Sequence, residues 1–145
     1  MTPEEVKEKT QRGWDEIWKG NMDAMDEVAT PDVVCHEPPM PDIRGRDGLK
    51  QWARELRRAF SDIQFRFDEF VSMGETAAAR WTFQGTHTGQ LPDVPLGPPT
   101  GKRVTWTGVA FVHMESGAAK EMWQYADLLG MMQQLGVVPS MGKAA

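Results

Sequence analysis

Few side chains in this sequence can act on a bound molecule, and their spacing narrows the chemistry open to them. The three histidines, His36, His87 and His113, stand far apart. No His-x-x-x-His or Cys-x-x-Cys spacing occurs, and Glu37 and Asp42 flank prolines, so no metal site is expected. Cys35 is the single cysteine. Its only basic neighbour is His36, and it reads as a small packed apolar residue rather than an activated nucleophile. A hydrolase elbow of the Gly-x-Ser-x-Gly kind is absent, as is a glycine-rich loop ahead of a helix to cradle phosphate. Cofactor-free acid/base chemistry is what remains. His36 is the candidate proton carrier, because it follows a short strand, Val33 to Cys35, and precedes Pro38, where loops at a sheet mouth carry function. Arg80 either pairs across a sheet with Asp68 or Glu69 or faces a pocket. His87, between Gly85 and Gly89, reads as a turn anchor, His113 as a surface residue and Asp127 as a helix cap.

The stretch from Lys102 to Gly136 must position most of these groups. It predicts a strand from Arg103 to Met114, a turn at Glu115-Ser116-Gly117, a second strand from Ala119 to Ala126, and a helix from Asp127 that stops at Gly136. Side chains alternate along a strand, so Val104, Trp106, Gly108, Ala110 and Val112 share one face. Gly108 and Ala110 are small where a packed core calls for full-sized side chains, and the space they leave is expected to be a ligand pocket. The opposite face is apolar too. Thr107, Val109, Phe111, Trp123 and Tyr125, with Trp81 and Phe83, are expected to form an outer patch that a second copy covers, giving a homodimer through the sheet.

Upstream the period is helical. Thr2-Pro3-Glu4-Glu5 combines a cap, a proline at the first helical position and a glutamate three residues after the cap. Val6, Thr10, Trp14, Ile17 and Trp18 then form one stripe that ends at Gly20. Asn21 is expected to cap a short second helix that Thr30-Pro31 closes, and Asp47 to cap a third carrying Leu49, Trp52, Ala53, Leu56 and Phe60. From Ile63 the period becomes two. Phe70 falls out of step with Phe65 and Phe67, which predicts a bulge, and a further strand runs from Thr76 to His87. Four prolines and three glycines between Thr88 and Gly101 make a long loop, expected to be a lid or rim. Helices first and antiparallel strands afterwards predict an α+β domain with a strongly bent sheet wrapped around the helices.

At 145 residues and 40% hydrophobic content the chain suits one domain, 1–145, with one core. A net charge of −5 without a Lys/Arg cluster argues against a nucleic-acid partner. No apolar run approaches the roughly 20 residues of a bilayer span, so no membrane partner is expected. The acidic, polar N-terminus is unlike a signal peptide, and a lone cysteine fits a cytoplasmic protein.

Several short motifs, in order along the chain, resemble those of the SnoaL-like polyketide cyclases and their ester-cyclase relatives. They are Gly20-Asn21, Pro31-Asp32, His36-Glu37-Pro38, Gly85-Thr86-His87-Thr88-Gly89, Pro98-Pro99-Thr100-Gly101-Lys102, Glu121 to Asp127 and Gln134-Leu135-Gly136. The resemblance implies a cone-shaped fold of the nuclear transport factor 2 superfamily, with a curved antiparallel sheet around a deep apolar pocket. In the aromatic polyketide cyclases of that family a carboxylate on the last strand and a histidine on the preceding strand run an aldol closure. Those positions are Gln124 and Ala110 here. An amide does not exchange a proton near neutral pH, but it donates a hydrogen bond to a carbonyl oxygen. The pocket implied in this register holds Met122, Trp106, Gly108 and Ala110, with Trp14, Ile17 and Trp18 at its base or mouth and Cys35 in its wall. Likeness to the epoxide hydrolases of the superfamily adds Arg80 and Thr82, pointing inward. The expected activity is cofactor-independent acid/base chemistry on an apolar, carbonyl-bearing small molecule, by cyclisation or isomerisation. Gln124 or Arg80 would polarise the carbonyl, and His36 or a held water would move the proton. The rivals are a binding protein without turnover and another cofactor-free enzyme, an isomerase, hydroxylase or epoxide hydrolase.

Overall fold

The computed structural model describes residues 1–92 and 94–138; the last residues of the 1–145 domain read from the sequence lie outside that range. Helix α1 (Pro3–Trp18) starts with the capping box its sequence predicts. Glu5 N–H donates to the Thr2 hydroxyl at 3.1 Å and Thr2 N–H to the Glu5 carboxylate at 3.2 Å. A 3₁₀ turn (Met22–Ala24) leads into the short helix α2 (Met25–Val28), and the Asn21 side chain makes no cap bond there. Strand β1 (Ala29–His36) begins earlier than expected, so Thr30-Pro31 lies inside a strand and does not close a helix. The β1–β6 register breaks between Ala29 and Val34, and a proline is tolerated in that gap because no ladder bond is lost. A two-residue strand, β2 (Ile43–Arg44), precedes helix α3 (Gly45–Ala59). Arg44, whose side chain makes no cap bond, occupies the cap position expected for Asp47. Asp47 sits instead in the first turn, where its charge complements the free N–H groups.

The remaining strands are β3 (Gln64–Met73), β4 (Thr76–Thr86), β5 (Arg103–Glu115) and β6 (Ala118–Ala126), followed by helix α4 (Leu128–Leu135). Asp127 caps α4 by accepting from Gly130 N–H at 2.9 Å, and Gly136 ends it in the left-handed region. The sheet order is β2-β1-β6-β5-β4-β3, antiparallel throughout except for the parallel β1–β6 pair. Its register shifts between Phe67 and Glu69, a bulge that falls in the part of β3 where the alternation changes. Helix α1 packs on β3 and α3 on β1, so both cover the concave face of the curved sheet.

The phase of β4 corrects one expectation. Trp81 lies opposite Gly108 and Phe83 opposite Trp106, while Arg80 faces Val109 and Thr82 faces Thr107. Directly paired residues share a face, so Trp81 and Phe83 point into the concave core and Arg80 and Thr82 point away from it. Phe83 stacks on Trp106 at 5.2 Å and meets the edge of Trp18 at 4.9 Å. The outer face keeps Val71, Val109, Phe111 and Tyr125 exposed.

The β4–β5 loop returns tightly against α3. A Cβ on Gly89 would stand 2.6 Å from the Arg58 carbonyl oxygen. Gly89→Ala is therefore expected to destabilise the fold by about 1–3 kcal/mol, seen as a lower urea midpoint at unchanged slope.

Candidate functional site

A cavity of about 210 Å³ opens between α3, α4, the β4–β5 loop and the concave face of the sheet. Glu37, Trp52, Glu55, Trp81, Trp106 and Gln124 are in its wall, and Leu91, Pro92 and Val94 of the long loop form part of its rim. A second cavity of about 50 Å³ is lined by Trp14, Trp18, Cys35, Ala110 and Met122. Trp52, Trp81, Phe83 and Gln124 border both cavities and so form the partition between them. The larger chamber holds the polar groups; the smaller is almost wholly apolar.

Glu37 is the titratable group that matters most in the larger chamber. It follows the end of β1, in phase with the buried Val33 and Cys35, so the strand's alternation aims it at the interior. The residue is 7% exposed, and its Oε2 atom has no hydrogen-bond partner among the described residues. Burial disfavours the anion and pushes the carboxyl pKa up from 4.5 to about 7. A carboxyl poised there both gives and takes a proton near neutral pH. The sequence reading passed it over in favour of its neighbour, although an acid in step with Val33 and Cys35 was the available signal.

Gln124 faces the cavities as expected. It lies opposite Ala110 on β5, and the Trp81 indole N–H donates to its Oε1 at 3.1 Å. Trp106 joins it in the larger chamber, and Trp14, Trp18, Cys35, Ala110 and Met122 meet it around the smaller. The Cys35 thiol is pushed up to about 12 by burial, with Glu37 and Asp42 adding to the shift, so it serves as an inert wall.

Five expected site residues border neither of these cavities. His36 points to the outer side, where its Nε2 meets Glu121 at 2.7 Å and its Nδ1 meets Asp42 at 2.9 Å, with the ring against Trp123. The hydrogen bond to Glu121, and then that to Asp42, raises its pKa and holds the proton there. Arg80 donates to Glu69 through Nε and a terminal nitrogen at 3.0 and 2.9 Å, and Thr82 donates to Asp68. Both follow from the β4 phase. Ile17 is wholly buried in the core and borders neither cavity. Gly108 leaves no room for a ligand, because the Trp81 ring already fills it: a Cβ there would lie 2.2 Å from the ring's Cζ2. His87, fully buried, accepts from Thr100 N–H at 3.2 Å and ties the two ends of the loop together. Among the described residues no group of three His, Cys, Asp or Glu side chains is placed to hold a metal ion, and no helix is long and apolar enough to cross a membrane.

The folded protein holds the Glu37 proton more tightly than the unfolded chain does. The stability attached to that proton is complete below about pH 4.5 and is lost as the pH rises through about 7. Above that, an unpaired buried carboxylate costs about 3 kcal/mol. Glu37→Gln is therefore expected to melt well above the wild type near pH 8 and to differ little from it near pH 4, in a thermal unfolding series across that range.

A family model of the SnoaL-like polyketide cyclases matches residues 8–135. A solved structure from Acidithiobacillus ferrooxidans, assigned as a polyketide cyclase, is 28% identical at a TM-score of 0.77, covering 91% of this chain and 94% of that one. One from Jannaschia sp. CCS1, assigned as a SnoaL-like polyketide cyclase, shares the fold at 21% identity and a TM-score of 0.80, covering 94% and 95%. An octanoyltransferase from Desulfovibrio desulfuricans is 28% identical over 102 residues, 66% of this chain; the match spans 40% of that enzyme's length. With the fold of these cyclases and a match over most of its length, the chain belongs to the SnoaL-like polyketide cyclase family.

Proposed function

We propose that the protein is a cofactor-independent acid/base enzyme that acts on an apolar, carbonyl-bearing small molecule, with Glu37 moving the proton and Gln124 polarising the carbonyl. The observation that carries this reading is the buried, unpartnered Glu37 carboxyl in the wall of an aromatic cavity. As the anion, Glu37 takes a proton from the carbon next to the carbonyl, and the electron pair moves onto the carbonyl oxygen. The enolate oxygen accepts a hydrogen bond from the Gln124 amide. Protonated Glu37 then returns its proton, either to another carbon, which isomerises the substrate, or to the alkoxide formed when the enolate carbon attacks a second carbonyl of the same molecule. The second route closes a ring. No Lys, Arg or His lines the larger chamber among the described residues, which favours a neutral ligand over an anionic one. Trp52, Trp81, Phe83 and Trp106 supply the flat apolar walls that hold such a molecule in a reactive shape.

Deuterium uptake from solvent into a panel of β-keto esters and polycyclic ketones tests this without requiring the right ring. Uptake is expected to rise as the pH passes about 7, to fall at least about a hundredfold in Glu37→Gln, to fall in Gln124→Ala, and to persist in His36→Ala. If no compound exchanges while several raise the melting temperature, the protein is a binding protein without turnover.

We further propose that a second copy covers the outer face. Val71, Val109, Phe111 and Tyr125 are exposed together there, beside the Arg80–Glu69 ion pair, and contiguous apolar surface of this kind marks interaction sites. A reducing cytoplasmic setting suits the single buried thiol. The wild type is expected to run as a dimer in sedimentation and Phe111→Glu as a monomer; a dimer in both would sink the assignment.

A further inference from the structure

We infer that Trp81 is a positioning residue: its indole N–H turns the Gln124 amide so that the NH₂ group faces the ligand, which makes the cavity select a carbonyl oxygen. This deepens the reading of Gln124 as the group that meets the carbonyl, and rests on that part of it alone.

A glutamine side chain is ambivalent, with an acceptor oxygen and a donor nitrogen on one flat group that turns about a single bond. Left free, it meets a ligand with either end. An indole nitrogen is not ambivalent: it only donates. The Gln124 atom 3.1 Å from Trp81 Nε1 must therefore be the oxygen. That leaves the amide nitrogen on the other side, and the one side-chain hydrogen bond of Gln124 among the described residues is that to its oxygen. Ala110, directly across the β5–β6 pair, has no side-chain polar group to offer it. The donor is set and unused.

The indole can hold this orientation because it is itself fixed. Its six-membered ring lies over Gly108, where a Cβ would come within 2.2 Å of Cζ2 and 2.6 Å of Cη2. The edge-on contact with Phe83, ring centres 5.0 Å apart, supports another side of it, and the residue is almost wholly buried. Gly108 is thus the seat of the indole, the indole fixes the amide, and the amide's N–H groups are left for a ligand. The same partition separates the two cavities, so a ligand in the larger one meets the amide along the shared wall.

The test compares binding of β-tetralone with that of tetralin, its matched hydrocarbon, by calorimetry near pH 8, where Glu37 is ionised and cannot donate to the ketone. The wild type is expected to prefer the ketone. Trp81→Phe keeps a flat ring but loses the N–H, and is expected to cut that preference about fivefold, whatever the smaller ring does to the affinity that both ligands share. Gln124→Ala is expected to cut it as far, and Trp81→Leu, which also lacks the N–H, serves if Trp81→Phe does not fold. Packing alone would weaken both ligands together. That result, an unchanged preference in Trp81→Phe, or a wild type that binds the ketone no better than the hydrocarbon overturns the proposal. A lost preference in a protein that exchanges no deuterium would leave the positioning role intact and remove the enzymatic one.

Discussion

The register of β4 against β5 decides what this molecule contains. With Trp81 across from Gly108, the two strands send Trp81, Phe83 and Trp106 into the concavity, and Arg80, Thr82 and Val109 to the other side. A slip of one residue would exchange every one of these positions, because the side-chain period of a strand is two. Arg80 would then enter an apolar interior without Glu69 to pair with, and two large aromatic rings would face water. Gly108 is what makes the register comfortable, since a larger residue there would meet both the indole and the Tyr125 carbonyl oxygen. The same glycine that permits the packing thus shapes the wall between the chambers.

A buried carboxyl is a poor investment in stability. Among the described residues Glu37 has no ion-pair partner and leaves an oxygen unsatisfied, and a glutamine of nearly the same shape would fold more comfortably at neutral pH. Local departures of this kind concentrate where a protein works on something else. The outer histidine beside it tells the opposite story: His36 is held by two carboxylates and an aromatic ring, and each of its nitrogens already has a partner. The last residue of β1 and the one that follows it therefore have opposite fates. One is spoken for and the other is not.

Much of the architecture was legible in the sequence because its signals are local. The Thr2 capping box, the Asp127 cap, the stop at Gly136 and the bend in β3 each rest on a few neighbouring residues, and each is present. Asn21 and Asp47 show the limit of the same reasoning, for a good capping residue is not obliged to cap when the chain enters the helix elsewhere. The face of β4 was not legible. Its own residues, Ala79 to Phe83, alternate between two plausible faces, and the choice is made by β5 across a long loop whose length fixes no register. Gln124 was placed from motifs shared with a family, whereas Glu37 needed a purely geometric step: continuing the alternation of Val33 and Cys35 one residue past the strand. Gly108 was read as empty space, since a missing side chain in a sequence does not say which neighbour has taken its place.

The one parallel pairing in the sheet joins its earliest long strand to its last. Glu37 lies just beyond β1 and Gln124 on β6, so these two polar groups come from distant parts of the chain and share a wall only after β6 has slotted in beside β1. Contacts of such long sequence separation form late and slowly. A chain still emerging from synthesis, with β6 not yet made, has neither the indole's acceptor nor the strand that encloses the acid. The cavity is therefore closed only once β6 has been made, and a chain that stops short of β6 lacks the Gln124 side of its wall.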